Sequence, residues 1–296
     1  MNGILNICKP VGSTSFDVVS TIRKLISERR VGHAGTLDPM ASGVLPICFG
    51  QGTRIIEFLQ EASKVYRAHI ELGTATDTYD ASGKIIMQGD YSSISREQLG
   101  KALKSFCGAI LQTPPMFSAV KYNGQRLYSL ARKGISVKRK SRPVTIHNLT
   151  LTNFNPPLLT LEVECGRGTY IRSLANDLGE MLGCGAHLFE LNRLSYGPFD
   201  IGDAISLTLF EIAVINNVWQ HHVYPMDSVL RHWQTAVVSE EQEQLIINGS
   251  GIDVSGITAV AGTDNRRLAY SKKGNLLAIL IFNTEKGHWQ PQKVFV

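Results

Sequence analysis

The segment Gly32-His33-Ala34-Gly35-Thr36-Leu37-Asp38-Pro39-Met40-Ala41-Ser42-Gly43 sets one carboxylate among three glycines and a proline. Such punctuation marks a structured loop. A carboxylate beside a φ-restricting proline can be held at a fixed angle over a pocket, as proton transfer or nucleophilic chemistry requires. It can equally close an Asx-type turn, and the loop alone does not choose between the two. Arg172 gives an independent hint. It falls in the first turn of a predicted helix, where the macrodipole disfavours a cation by roughly 0.3–1 kcal/mol. Either water screens that cost, or a carboxylate such as Asp38 offsets it through a bidentate pair that also keeps the acid ionised.

Other chemistries lack their signatures. The chain has no G-x-x-x-x-G-K-[ST], and its G-x-G triplets at Gly50, Gly166, Gly183 and Gly249 lack the third glycine, so no nucleotide cofactor is expected. The eight histidines never take H-x-x-x-H spacing and the five cysteines form no C-x-x-C pair, so neither a metal site nor a disulfide framework is expected. No G-x-S-x-G elbow appears either.

The elements that must position these residues follow from periodicity. Gly3–Cys8 reads as a strand, and Phe16, Val19, Ile22 and Ile26 predict an amphipathic helix over Asp17–Glu28, capped by Ser15 or a neighbour. Strands are predicted over Val44–Phe49, Val65–Leu72 and Leu158–Cys165, and a helix over Ser95–Phe106. Ile171, Leu174, Leu178, Met181 and Leu182 mark one face of a further helix stopped by Gly183. After Pro225-Met226-Asp227, short strands with turn signals at Asn248-Gly249, Asn265 and Lys273-Gly274-Asn275 predict a small β-rich domain.

Thirty Lys and Arg against 25 Asp and Glu leave a formal charge of +5, but the excess is concentrated. No acidic residue occurs between Glu97 and Glu162, a stretch holding Lys101, Lys104, Lys121, Arg126, Arg132, Lys133, Lys138, Arg139, Lys140 and Arg142. Interleaved Tyr122 and Tyr128 add stacking faces, which suits unstacked nucleotides, so a polyanion is the expected partner. For Lys138–Arg142 alone, a solvated basic run is an equal reading. At 296 residues, 43% hydrophobic and 19% charged, the chain can bury a large core without staples, and about two domains are expected. The longest apolar run, Leu276–Phe282, suits a buried strand and not a membrane span; with no signal-like start, the expected location is the cytoplasm.

The Gly32–Gly43 segment resembles the signature of bacterial tRNA pseudouridine-55 synthases, the TruB family. Similar blocks recur in the family's order: Gly3-Ile4-Leu5 with Lys9-Pro10, Val65-Tyr66-Arg67, Leu72-Gly73 through Thr76-Asp77-Thr78, Met116–Lys121, Gly168-Thr169-Tyr170-Ile171-Arg172 and Gly183-Cys184-Gly185-Ala186-His187. The resemblance covers about residues 3–227 and weakens beyond Leu230.

It implies an α+β fold, with a mixed, mainly antiparallel sheet and flanking helices over 1–227, a basic RNA-gripping insertion at about 115–143, and a small β-rich, PUA-like domain over 228–296. It implies isomerisation of uridine to pseudouridine in the tRNA T-loop, without cofactor or metal, on a flipped-out nucleotide. Asp38 falls on the family's catalytic aspartate, Tyr66 on its active-site tyrosine and Arg172 on the arginine beside the acid. Tyr170 and Leu191 match positions lining the uracil pocket, and His33 matches a histidine that stacks where the target nucleotide has left. Lys9 matches a lysine near the site, and Lys138, Arg139 and Lys140 lie in the gripping segment. Asn192 departs from the arginine that often precedes Arg193. The partner implied is the T stem-loop of tRNA, with the chain acting as a monomer without a membrane or protein partner. Two rival readings are a non-catalytic tRNA-binding or folding protein on the same scaffold, and a synthase acting on another RNA.

Overall fold

The computed structural model describes residues 1–253 and 265–295; the part of the β-rich expectation that covers 254–264 lies outside them. In chain order the elements are β1 (Gly3–Lys9), α1 (Ser15–Leu25), β2 (Val31–His33), β3 (Ala41–Phe49), α2 (Ile56–Leu59), β4 (Lys64–Leu72), β5 (Thr74–Thr76), β6 (Ile85–Gln88), α3 (Arg96–Lys104) and β7 (Gly108–Gln112). Then come β8 (Lys121–Tyr122), β9 (Gln125–Arg126), α4 (Leu127–Ala131), β10 (Arg142–Asn155), β11 (Leu158–Cys165), α5 (Ile171–Leu182) and β12 (Ala186–Tyr196). The rest comprises β13 (Phe199–Asp200), β14 (Ile205–Ser206), α6 (Leu207–Ile215), β15 (Val223–Tyr224), β16 (Gln234–Val237), α7 (Glu240–Ile247), β17 (Arg266–Tyr270), β18 (Leu276–Asn283) and β19 (His288–Val294).

The main sheet runs β14-β1-β3-β12-β4-β11-β10-β7, with β2, β13 and β15 paired at its flanks. Its ladders are antiparallel except β1 with β14 and β3 with β12. Period-2 alternation gives it two buried faces. Leu5, Leu45, Ile47, Ala68, Ile70 and Leu161 join Val19 and Ile22 of α1, Leu99 of α3 and Leu174 and Leu178 of α5 in the largest core. Ile4, Val44 and Cys48 turn the other way, onto Leu59, Tyr196 and Phe199. Because β3 is covered on both sides, it reads as a nearly unbroken apolar run. A separate four-stranded sheet, β16-β17-β18-β19, carries its own core around Ala269, Leu277, Leu280 and Trp289, and Leu230, Trp233, Ile279 and Phe295 pack it onto Ile55.

Several boundaries differ from the sequence reading for physical reasons. α1 begins at Ser15, because Thr14 and Asp17 form a reciprocal capping box. Phe16 is 64% exposed, and Val18 takes the core position expected of it. Met181, expected on the buried face of α5, is likewise exposed. The Gly32–Gly43 loop is shorter than expected, since β2 extends through His33 and β3 starts at Ala41. Within the acid-free stretch, β7 and the fourteen-residue β10, neither of them predicted as a strand, pair with each other near the sheet edge. Between them lie the β8–β9 hairpin and α4, packed on a small core of Met116, Leu127 and Leu130.

Candidate active site

β12 inserts between β3 and β4, and its register assembles the site. Leu191 lies opposite Ala41 on one side and Ala68 on the other; Arg193 lies opposite Gly43 and Tyr66. Residues two apart share a face, so Leu191, Arg193 and Tyr66 converge on the strand that emerges from the Asp38 loop. The close approach explains a glycine. Gly43 has φ +104°, and a Cβ there would lie 2.3 Å from the Arg193 carbonyl oxygen.

The backbone around Asp38 is pinned on both sides. The buried Ser15 hydroxyl accepts from the Leu37 N–H at 2.9 Å and lies 3.2 Å from the Leu37 carbonyl oxygen, to which it donates. The Gly12 N–H donates to the Pro39 carbonyl at 2.8 Å, and the Ala41 N–H to that of Asp38 itself at 3.0 Å. The β1–α1 connection thus clamps the residue before and the residue after the acid. Ser15→Ala should lower kcat by about tenfold while leaving substrate affinity within twofold, since small misplacements of a reacting group cost rate before they cost binding. Unchanged kcat in a steady-state assay would show that the clamp is dispensable.

Arg172, in the first turn of α5, places Nε 2.9 Å from Asp38 Oδ2. The pair is single-pronged and not bidentate as expected, because the other two nitrogens are engaged elsewhere. Nη1 lies 3.3 Å from Asp80 Oδ2, and Nη2 donates to the Phe117 carbonyl at 2.9 Å. Asp80 is buried, and its other oxygen accepts from Thr78 Oγ1 at 2.7 Å and from the Ser82 N–H at 3.0 Å. Two carboxylates therefore share one guanidinium, which offsets both its burial and its place at a helix N-terminus. The Asp38 side chain keeps 35% of its surface open while that of Arg172 keeps 6%. Burial in the surrounding protein raises the Asp38 pKa above the ordinary 3.8; Arg172 opposes this and Asp80 adds to it.

Of the remaining predicted residues, Lys9, Tyr66 and Tyr170 lie within electrostatic reach of Asp38, and His33 within that of Arg193. Tyr66 is buried on β4, and desolvation raises its pKa against the pull of Arg193, so its hydroxyl rests as the neutral phenol. Tyr170 immediately precedes α5; burial raises its pKa, and Asp38 is close enough to add to that rise. Leu191 is buried. His33 ends β2, and desolvation followed by Arg193 lowers its pKa, favouring the neutral ring. Lys9 is fully buried, donates to the carbonyls of Pro10 and Ser13 at 2.9 and 2.7 Å, and has a pKa lowered to about 8 by desolvation, with Asp38 opposing. Lys138, Arg139 and Lys140 lie on the segment between α4 and β10. Lys138 and Lys140 are exposed on the arm, whereas Arg139 is half-buried and donates to the Pro114 carbonyl at 3.0 Å, tying the arm's two ends together. No cluster of metal-ligating side chains occurs among the described residues.

Two further residues belong to the site that the sequence reading does not assign to it. Asp80 sits in a Thr/Asp/Gly-rich connection, where an acid reads as a turn former. Arg193 is 1% exposed; it donates to the carbonyls of Val44 and Gly35 at 2.6 and 3.1 Å and lies over the rings of Tyr196 and Tyr66. A cation in mid-strand between apolar Leu191 and Leu194 is the signal that marked it.

Known proteins match the chain over most of its length. Residues 23–171 match the family model of the TruB family pseudouridylate synthase N-terminal domain, and residues 172–231 that of the tRNA pseudouridylate synthase B C-terminal domain. The tRNA pseudouridine synthase B of Dehalococcoides mccartyi is 44% identical over 100% of this chain and 97% of its own. That of Clostridium acetobutylicum is 46% identical over 84% of each. Among solved structures, one from a crystal of a Cbf5–Nop10–Gar1 complex superposes with TM-score 0.75 at 25% identity, covering 99% of this chain and 85% of that one. The chain belongs to the TruB family of pseudouridylate synthases.

Proposed function

We propose that this tRNA pseudouridine synthase acts on the uridine at position 55 in the T-loop, with Asp38 as nucleophile on a flipped-out nucleotide. The observation that carries the reading is the Asp38–Arg172 pair: a carboxylate held at 2.9 Å from a buried guanidinium, on a backbone clamped from both sides, with a third of its surface open. The reaction is balanced without a co-reactant. The N1–C1′ bond breaks, C5 bonds to C1′, the C5 proton leaves and N1 gains one. A single anchored carboxylate can take up the released fragment while the base turns. Tyr66, Tyr170 and Leu191 offer a ring and apolar walls for the extruded uracil, and the neutral His33 ring suits stacking in the gap left behind. Arg172 keeps Asp38 oriented and favours its anionic form. Lys9 organises the β1–α1 connection that clamps the acid.

RNA outside the pocket is held by the arm, and the small β-rich unit over 228–296 supplies a second, PUA-like contact. Replacing Lys138 and Lys140 by Gln should weaken binding and flatten its salt dependence, lowering the slope of log K against log salt by about 1.5, because fewer counterions are released. Arg139 is left intact in that variant since it braces the arm. A slope equal to that of the unaltered protein would remove the run from the interface. The reading itself is tested by tritium release from C5-labelled uridine in a bare T stem-loop. Multiple turnovers on that fragment support it; protection of the RNA without release would point to a binding protein, and turnover only on other RNA to a different substrate.

A further inference from the structure

The helix that carries Arg172 has no local cap. Its N-cap residue Tyr170 makes no side-chain capping bond, and Ser173, the third helical residue, directs its hydroxyl away, donating to the Thr113 carbonyl at 2.8 Å. The bond that a Glu or Gln at that third position would normally make to the N-cap N–H comes instead from Gln112, fifty-eight residues away. Gln112 Oε1 accepts from the Tyr170 N–H at 2.7 Å, and Gln112 Nε2 donates to the Tyr170 carbonyl at 2.9 Å. Both ends of its amide are used on both backbone groups of one residue, and Gln112 is 2% exposed.

Gln112 is also the last residue of β7, from which the arm departs. The next contacts continue the same seam: Thr113 to Ser173, and Phe117 to Arg172 Nη2 at 2.9 Å. The root of the arm therefore supplies the start of α5 with its cap and the guanidinium with one of its acceptors. A free helix start would leave Tyr170 and Arg172 to move separately from the arm.

We propose that Gln112 is a positioning residue that locks the arm's root to the turn carrying Tyr170 and Arg172, so that RNA seated in the arm and the Asp38–Arg172 pair are held as one body. This rests on Arg172 serving the reaction. The seam acts on the geometry of the guanidinium and the pocket wall and has no part in holding RNA charge, which makes a specific kinetic signature. Losing it should lower kcat and leave KM nearly alone, the reverse of neutralising Lys138 and Lys140.

The test measures pseudouridine formation on whole tRNA by Gln112→Met, which keeps side-chain length and volume but removes both hydrogen bonds, beside the unaltered enzyme and the Lys138→Gln, Lys140→Gln double variant. Gln112→Met should lose about ten- to a hundredfold in kcat, with KM within about twofold. Ser173→Ala, which removes one neighbouring bond, should show a smaller loss of the same kind and serves if Gln112→Met fails to fold. Unaltered kcat in whichever folded variants are obtained, or a loss confined to KM, overturns the proposal. Failure of the unaltered enzyme to turn over would instead indict the reading of Arg172 and Asp38.

Discussion

Asp38→Asn should lower conversion by about a thousandfold or more while leaving tRNA affinity within a fewfold, because it removes the anionic oxygen and little of the RNA-binding surface. The same substitution should not destabilise the fold. Burial raises the Asp38 pKa, so the folded state favours the protonated acid relative to the unfolded chain. Its contribution to stability is greatest below the ordinary value of 3.8 and is lost as pH rises through the raised folded value. At neutral pH the ionised acid is therefore a burden, and asparagine relieves it while Asp80 still faces Arg172. Thermal melting at pH 7 should give a midpoint equal to the parent's or about 2 °C higher. The same shift predicts that the parent's rate falls on the acid side with a midpoint above 3.8. A midpoint at or below that value would mean that Arg172, and not desolvation, dominates the site. A clearly lower melting point for Asp38→Asn would show the acid to be a structural tie.

The second large effect concerns the guanidinium. Arg172→Met strands the buried Asp80 carboxylate and removes the cation that draws Asp38 toward its anionic form. Breaking a buried pair from one side costs about 3–5 kcal/mol, so denaturant unfolding should show a loss of that order together with activity near background. Adding Asp80→Asn to that variant should restore part of the stability and none of the activity, because it removes the uncompensated charge without returning the guanidinium to Asp38. Arg172→Lys keeps a charge but cannot reach Asp38, Asp80 and the Phe117 carbonyl together; it should fold better than the Met variant and still lose about a hundredfold in rate. Equal stability of Arg172→Met and the parent would show that the two acids do not depend on their shared partner.

What the sequence made legible divides along local and non-local lines. Leu158–Cys165 was readable to the residue, and α5 with its Gly183 stop almost so, since strand alternation, helical spacing and a left-handed C-cap are local signals. Asp38, Tyr66 and Arg172 were legible as a set only through the resemblance, and the structure brings them together. β7 and β10 carry no clear strand signal: strands near the sheet edge with half their residues in solvent resemble a polar connection in composition, and acid depletion does not distinguish the two. Phe16 was misplaced because its spacing fits helical periodicity, yet the capping box starts α1 earlier and turns it outward. Asp80 and Gln112 carry no local mark at all. Each is defined by a partner more than fifty residues distant, so only the assembled sheet shows what it does.

The most direct measurement is position-resolved mapping of pseudouridine in tRNA lacking modifications, after incubation with the purified protein. One new pseudouridine, at position 55 of the T-loop, with the parent and none with Asp38→Asn, is the predicted result. Conversion at a different position, or conversion that survives in the Asp38→Asn protein, would contradict it.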